Sequence, residues 1–206
     1  MLSTLLILPL VGIGIITLLP RSTSDRQLRN ITTFISVIIL GWSLFLVTRF
    51  NLNFSGFQLQ EYLPWADVIG LNYNVGIDGL SLPLIVVNAL LTLIAIYGMG
   101  ETLERPRFYY SVLMLISAGI SGALIAKNLL LFIIFYELEL IPFYLMIAIW
   151  GGEKRGYASI KFLLYTAVSG LFVLAAFLGM AFLSNSYTFD YDAIKLSELS
   201  LNTRLI

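Results

Sequence analysis

The chain has 206 residues, 59% of them hydrophobic and 12% charged, with a mean hydropathy of +0.92; soluble domains carry roughly 25% charged residues, so this balance places the chain in a membrane. Its 12 Lys and Arg offset its 12 Asp and Glu, which argues against nucleic acid as a partner, because phosphate binding needs a basic excess. Neither Cys nor His occurs, excluding disulfides, thiolate-held iron–sulfur clusters, haem axial histidines and ordinary zinc sites.

In chain order, the first apolar run is Leu2–Leu19. It has no basic stretch before it and no small-residue cleavage pattern after it, and reads as a retained helix rather than a signal peptide. Ile31–Phe50 follows. Asn51–Gly79 is polar and contains Pro64, Gly70, Gly76 and Asp78; within it, Phe57–Leu63 and Val68–Val75 read as a hairpin lying on the membrane face. Leu80–Met99, Phe108–Ala126, Leu129–Trp150 and Tyr157–Leu183 complete the runs that meet the roughly 17–25 residues a span needs. The two-residue turn Lys127–Asn128 makes the fourth and fifth spans an antiparallel pair. The tail, Ser184–Ile206, carries Asp190, Asp192, Lys195, Glu198 and Arg204 and reads as a surface segment leading to a seventh helix not included here. The expected fold is all-α: one polytopic membrane domain over residues 1–206, with about six transmembrane helices.

Loop charges set an orientation. Arg21, Arg26 and Arg29 follow the first span, Arg105 and Arg107 the third, and Lys154 and Arg155 the fifth. The loops after the second and fourth hold little beyond Arg49 and Lys127. By the positive-inside rule the first set is cytoplasmic, which puts the N-terminus, loop 51–79 and the tail on the lumenal or periplasmic side.

Three charges lie within spans. Glu137 stands eight residues into the fifth run, about 12 Å along the helix at 1.5 Å per residue in a hydrocarbon core of about 30 Å. An acidic side chain at such a depth costs on the order of 2.5–3.5 kcal/mol to insert. It is either a proton-carrying group or a neutral structural acid bonded to a neighbouring helix. Glu139, two positions on, points about 200° away, so the two cannot form a dyad; it faces another helix or subunit, as an interface hydrogen bond or in a proton role. Pro142 has no N–H and deprives the Leu138 carbonyl, between the two glutamates, of its helix partner, inviting water where the carboxyls lie. Lys161, about a turn into the sixth run, either snorkels to the headgroups or faces inward, coupled to Glu137 through water ordered by Tyr165, Thr166 and Ser169. In the fourth run Ala118, Gly122 and Ala126, and again Gly119 and Ala123, recur every four residues, a close-packing pattern.

Three motifs carry a family resemblance: Gly-Ile-Asp-Gly-Leu-Ser-Leu-Pro-Leu at 76–84, the stretch from Glu137-Leu-Glu139-Leu-Ile-Pro142 to Trp150-Gly151-Gly152, and the run from Lys154 through Tyr157 and Lys161 to Tyr165 and Thr166. With them the chain resembles the N-terminal part of the antiporter-like proton-pumping subunits of complex I. The doubled glutamate makes it most like the D-subunit group (subunit M/4) of cyanobacterial and plastid NDH-1. The resemblance implies that Glu137 and Lys161 match proton-pathway residues, with Pro142, Glu139, Tyr165 and Thr166 in support. It implies a NAD(P)H- or ferredoxin:plastoquinone oxidoreductase in a thylakoid membrane, whose quinone, iron–sulfur clusters and NAD(P)H or ferredoxin belong to other subunits; this chain itself binds no cofactor or metal. Its partners are then the other membrane and hydrophilic NDH-1 subunits, lipid and protons. The family's lysines on helices seven and eight have no counterpart here. Tyr136, Asn128 and Gly156 depart from the family pattern and point to a divergent paralogue of the CO2-uptake kind. A cation/proton antiporter subunit of the Mrp type, which shares these helices and the glutamate, and a purely structural membrane subunit are the competing readings.

Overall fold

The computed structural model describes residues 1–98, 103–183 and 188–193. Of the tail, Lys195, Glu198 and Arg204 lie outside the described residues, as does Met99. Among the described residues, six helices run in chain order: α1 (Thr4–Leu18), α2 (Asp25–Arg49), α3 (Ser81–Gly98), α4 (Pro106–Ile125), α5 (Leu129–Trp150) and α6 (Arg155–Leu183). Five, α2 to α6, are long and apolar enough to cross a membrane, and α1 is a shorter apolar helix. At 15 residues, α1 spans about 22 Å, less than the hydrocarbon thickness.

Helix ends fall where capping chemistry puts them. α2 begins ahead of its apolar run because Ser24 accepts from the Gln27 amide while the Gln27 side chain accepts from the Ser24 amide, a reciprocal capping box. The Asp78 carboxylate accepts from Leu80 N (3.1 Å) and Ser81 N (2.7 Å), and Asp78 N donates to Ser81 Oγ (2.9 Å). The 76–84 motif is therefore, at its centre, the start signal of α3. Burial would raise the Asp78 carboxyl, but these bonds outweigh it and hold it below its ordinary value. At the start of α5 the Asn128 side chain accepts from Leu130 N and Leu131 N, both at 3.2 Å.

Between α2 and α3 lies the expected hairpin: β1 (Gln58–Ala66) pairs antiparallel with β2 (Leu71–Ile77). Its turn is a 3₁₀ segment, Asp67–Ile69, closed by Gly70 in the left-handed region at φ 70°. Val68 and Ile69, within the expected second strand Val68–Val75, thus belong to the turn, while β1 continues through Pro64. The register slips between Gln58 and Glu61 and again between Leu63 and Ala66. Leu59, at φ 52°, sits in the first slip and Pro64 in the second, where a missing N–H costs no ladder bond.

The more buried strand, β2, packs Leu71, Val75 and Ile77 into a core cluster with Leu2, Leu5, Leu46, Leu82 and Leu131. A second cluster, built on Ile16, Ile35, Ile96, Tyr109 and Met114, fills the other half of the bundle. α4 is the central helix, packed against α1, α2, α3 and α5, whereas α6 packs mainly on α5.

Candidate functional site

α5 carries both intramembrane carboxyls, and its neighbours meet them with glycines. On one side Gly119 of α4 lies against Glu139, close enough that a Cβ there would come within 3.1 Å of Glu139 Cβ and 3.5 Å of the Phe135 carbonyl oxygen. One turn along, a Cβ on Gly122 would stand 2.5 Å from Phe135 Cγ. The small-residue pattern of α4 thus lets the α5 backbone approach, with Phe135 and Glu139 filling the space. On the opposite side the Glu137 carboxyl rests over the bare Cα of Gly170 in α6, where a Cβ would collide with Glu137 Oε1 and lie 2.9 Å from its Cδ. The two glutamates face different helices, as their two-residue spacing requires.

Glu139 Oε2 is buried and has no hydrogen-bond partner among the described residues. A buried polar oxygen without a partner is costly. Pro142 is buried, and α5 runs unbroken past it from Leu129 to Trp150.

α6 turns three residues inward, Ser159, Gly170 and Ala181. Their spacing of eleven is about three helical turns, so they form one seam. Lys161 lies nine residues from Gly170, about half a turn round the helix and 13.5 Å along it. It is exposed, with its ammonium 5.7 Å from the Tyr157 ring centroid and 5.8 Å from that of Tyr165. Tyr165 is itself 70% exposed. In this chain Lys161 and Tyr165 therefore point away from the Glu137 seat. Thr166, four residues from Gly170, is on the seam side and half-buried, with its hydroxyl donating to the Phe162 carbonyl at 2.8 Å.

Among the described residues the buried cation is Lys127, which the sequence placed merely in a turn. Its side chain is 1% exposed and donates to Asp192 Oδ2 (2.6 Å) and Gln60 Oε1 (2.7 Å). Its ammonium also lies 4.9 Å from the Phe57 ring centroid. Gly76 makes room for it, since a Cβ there would stand 2.8 Å from Lys127 Cδ. Residues 189–191 are laced between hairpin and turn: Leu129 N donates to Phe189 O (2.8 Å), Tyr191 N to Lys127 O (2.9 Å) and Asn128 Nδ2 to Gly70 O and Asp190 Oδ1 (both 2.9 Å).

The arginine-bearing loops gather at the other end, where Arg21, Asp25, Arg105 and Arg107 line a recess of about 470 Å³. Arg107 donates to the carbonyls of Leu19 and Pro20, and Trp150 Nε1 to that of Glu104 at 2.7 Å. No cluster of three acidic, His or Cys side chains able to hold a metal ion occurs among the described residues.

Known proteins resemble this chain in sequence and in fold. A family described as the NADH:quinone oxidoreductase/Mrp antiporter transmembrane domain matches residues 126–204, the stretch that holds both glutamates, Pro142 and Lys161. The chain is 36% identical to NAD(P)H-quinone oxidoreductase chain 4-2 of Synechocystis sp. over 99% of its own length and 36% of that protein. It is also 36% identical to chain 4 2 of Thermosynechococcus vestitus, over 100% of its length and 38% of that protein. The chain thus spans little more than a third of these relatives. Among solved structures, a chain of respiratory complex I from Thermus thermophilus with bound NADH superposes with a TM-score of 0.78 at 29% identity, over 94% of this chain and 38% of that one. The Mrp complex from Dietzia sp. gives a TM-score of 0.74 at 17% identity, over 94% of this chain and 21% of that one, a likeness of fold alone.

Proposed function

We propose that this chain is a member of the NADH:quinone oxidoreductase/Mrp antiporter transmembrane family and the N-terminal part of a proton-translocating subunit of an NDH-1-type plastoquinone oxidoreductase in a thylakoid membrane. The observation that carries this reading is the pair of acids on α5, each lodged against a glycine of a flanking helix, within a chain related along its length to NAD(P)H-quinone oxidoreductase chain 4. Electron transfer takes place in other subunits, which hold the quinone, the iron–sulfur clusters and the NAD(P)H or ferredoxin. The chain's own part is to bind and release protons. The arginine-bearing end is cytoplasmic and the hairpin end lumenal. The departures at Tyr136, Asn128 and Gly156 favour a CO2-uptake form of the complex.

A carboxyl in low dielectric has a proton affinity that responds steeply to nearby charge. An approaching cation favours release from Glu137; its withdrawal favours uptake. Pro142 frees the Leu138 carbonyl and so gives water a polar foothold between the two glutamates. Lys161, on the outer face of α6, acts on Glu137 only through groups that lie beyond this chain.

Glu137→Gln in the full-length protein keeps size and hydrogen bonding but removes titration. It leaves assembly intact and abolishes or strongly reduces proton translocation, read as light- or substrate-driven acidification in membrane vesicles. Lys161→Met weakens it less. Wild-type pumping by an assembled Glu137→Gln protein would make Glu137 a structural acid. The Mrp-type alternative has the common fold in its favour. It predicts cation/proton exchange without co-purifying iron–sulfur subunits, so the identity of the co-purifying proteins separates the two.

A further inference from the structure

We propose that Gly170 is a positioning residue for the proton chemistry of α5: its bare Cα is the seat that sets where the Glu137 carboxyl lies between α5 and α6. The inference rests on the proton-carrying reading of Glu137. Gly170 is one of three buried residues of α6, and any Cβ at this position would occupy the space of the Glu137 carboxyl. Its other near neighbour, Tyr136 Cε1 at 3.5 Å, is at ordinary van der Waals distance.

What a methyl group would displace decides the consequence. At Gly122 the obstruction is an aromatic ring packed between helices, and at Gly119 it is the Cβ of Glu139 at 3.1 Å, fixed directly on the α5 backbone; side chains there oppose the packing itself. At Gly170 the obstruction is the far end of a flexible side chain. The helices can keep their places while the carboxyl swings away, so the change falls on the position of the reacting group and spares the fold. A misplacement of about 1 Å at a reacting group can cost up to about a hundredfold in rate. Gly179, nine residues further along α6, has no atom within 4 Å of its would-be Cβ and supplies the control.

The test uses the full-length protein assembled in its host membrane, with vesicle acidification rates and the Glu137 carboxyl band in difference infrared spectra, identified by its loss in Glu137→Gln. Gly170→Ala is expected to assemble, lower pumping by about tenfold or more and shift the band, while Gly179→Ala changes neither. Adding Glu137→Asp to Gly170→Ala, which shortens the side chain by one methylene, is expected to recover part of the rate, although Glu137→Asp alone lowers it. A Glu137 band that stays in place in Gly170→Ala, with an unchanged rate, overturns the seat and leaves the proton-carrying reading standing. The absence of any Glu137-dependent band in the wild type overturns that reading and the inference with it. If Gly170→Ala fails to accumulate and the double variant accumulates no better, Gly170 serves helix packing against Tyr136 and the inference is wrong.

Discussion

Helices α4 and α6 are both apolar spans, yet they stand in opposite surroundings. The most apolar 18 residues of α4 have a mean hydropathy of 1.8 and are 67% buried within the chain; those of α6 reach 2.2 and are 11% buried. The more hydrophobic helix is the more exposed one, the reverse of what a soluble core would show. In a membrane, hydropathy measures fitness for lipid, whereas helix association depends on close packing and on polar contacts between helices. α4 has both: Gly119 and Gly122 admit the α5 backbone, and Asn88 of α3 donates to Ser117 O and Ser121 Oγ of α4, each at 3.0 Å. α6 has a single seam, and Leu164, Leu171, Phe172 and Phe182 stand bare on its other faces.

The strongest way to break this contrast is a single methyl group on each helix. Gly122→Ala drives a Cβ into the Phe135 ring and should cost about 1–3 kcal/mol, seen as a lowered Tm of the purified protein in detergent. Gly179→Ala enters open space and should cost nothing, with a small gain from helix propensity of up to about 1 kcal/mol. Equal losses at the two positions would mean that α6 is packed as tightly as α4.

The strap formed by residues 188–193, beyond α6 in the chain, sharpens the comparison, because it is bonded to the turn at the end of the central helix. Asp192→Ala leaves the buried Lys127 ammonium, among the described residues, to Gln60 and the Phe57 ring, a loss of about 2 kcal/mol for a bond to a charged group. Lys127→Met should cost less, since an apolar side chain of similar volume replaces the buried charge and Asp192 is already 65% exposed. Protease cleavage after α6 should therefore rise more in Asp192→Ala than in Lys127→Met, and the opposite order would remove Lys127 from the role of buried anchor.

The smallest expected effect lies outside both helices and depends on pH. Burial raises the Glu61 carboxyl, but the Met1 ammonium, the Ser3 hydroxyl and the Ser3 and Leu2 amides together bring it down to about 2. Because the folded-state value lies below the ordinary 4.5, the stabilisation is complete above 4.5 and is lost as pH falls toward 2. Docking of the α1 start on the hairpin should therefore loosen over that interval, measured by hydrogen exchange at Leu5 and Leu6. Glu61→Gln should flatten the dependence, and tight docking of the wild type down to pH 2 would contradict it.

Legibility differed from place to place for physical reasons. The hairpin was readable from alternation and turn residues, but its boundaries were not: Val68 and Ile69 have strand-like side chains and sit in the turn, and Pro64 sits inside a strand because the ladder slips there. The opposite facing of Glu137 and Glu139 followed from a spacing of two on a helix. The outward placement of Lys161 did not, because spacing along one helix leaves open which face meets a neighbour. Lys127 was the hardest to read: a lysine in a two-residue turn looks solvated until the hairpin and the strap are folded over it.

By itself the sequence determined that the chain lies in a membrane, how many apolar helices it forms, the antiparallel α4–α5 pair and the relative directions of the two carboxyls, since each follows from composition or from the helical repeat along a single segment. Only the tertiary structure decided that α4 is central and α6 peripheral, that Gly119 and Gly170 are what the carboxyls meet, and that Lys127 is enclosed by Gln60 and Asp192. These contacts join residues distant in sequence, and no local period encodes which pairs of surfaces come together.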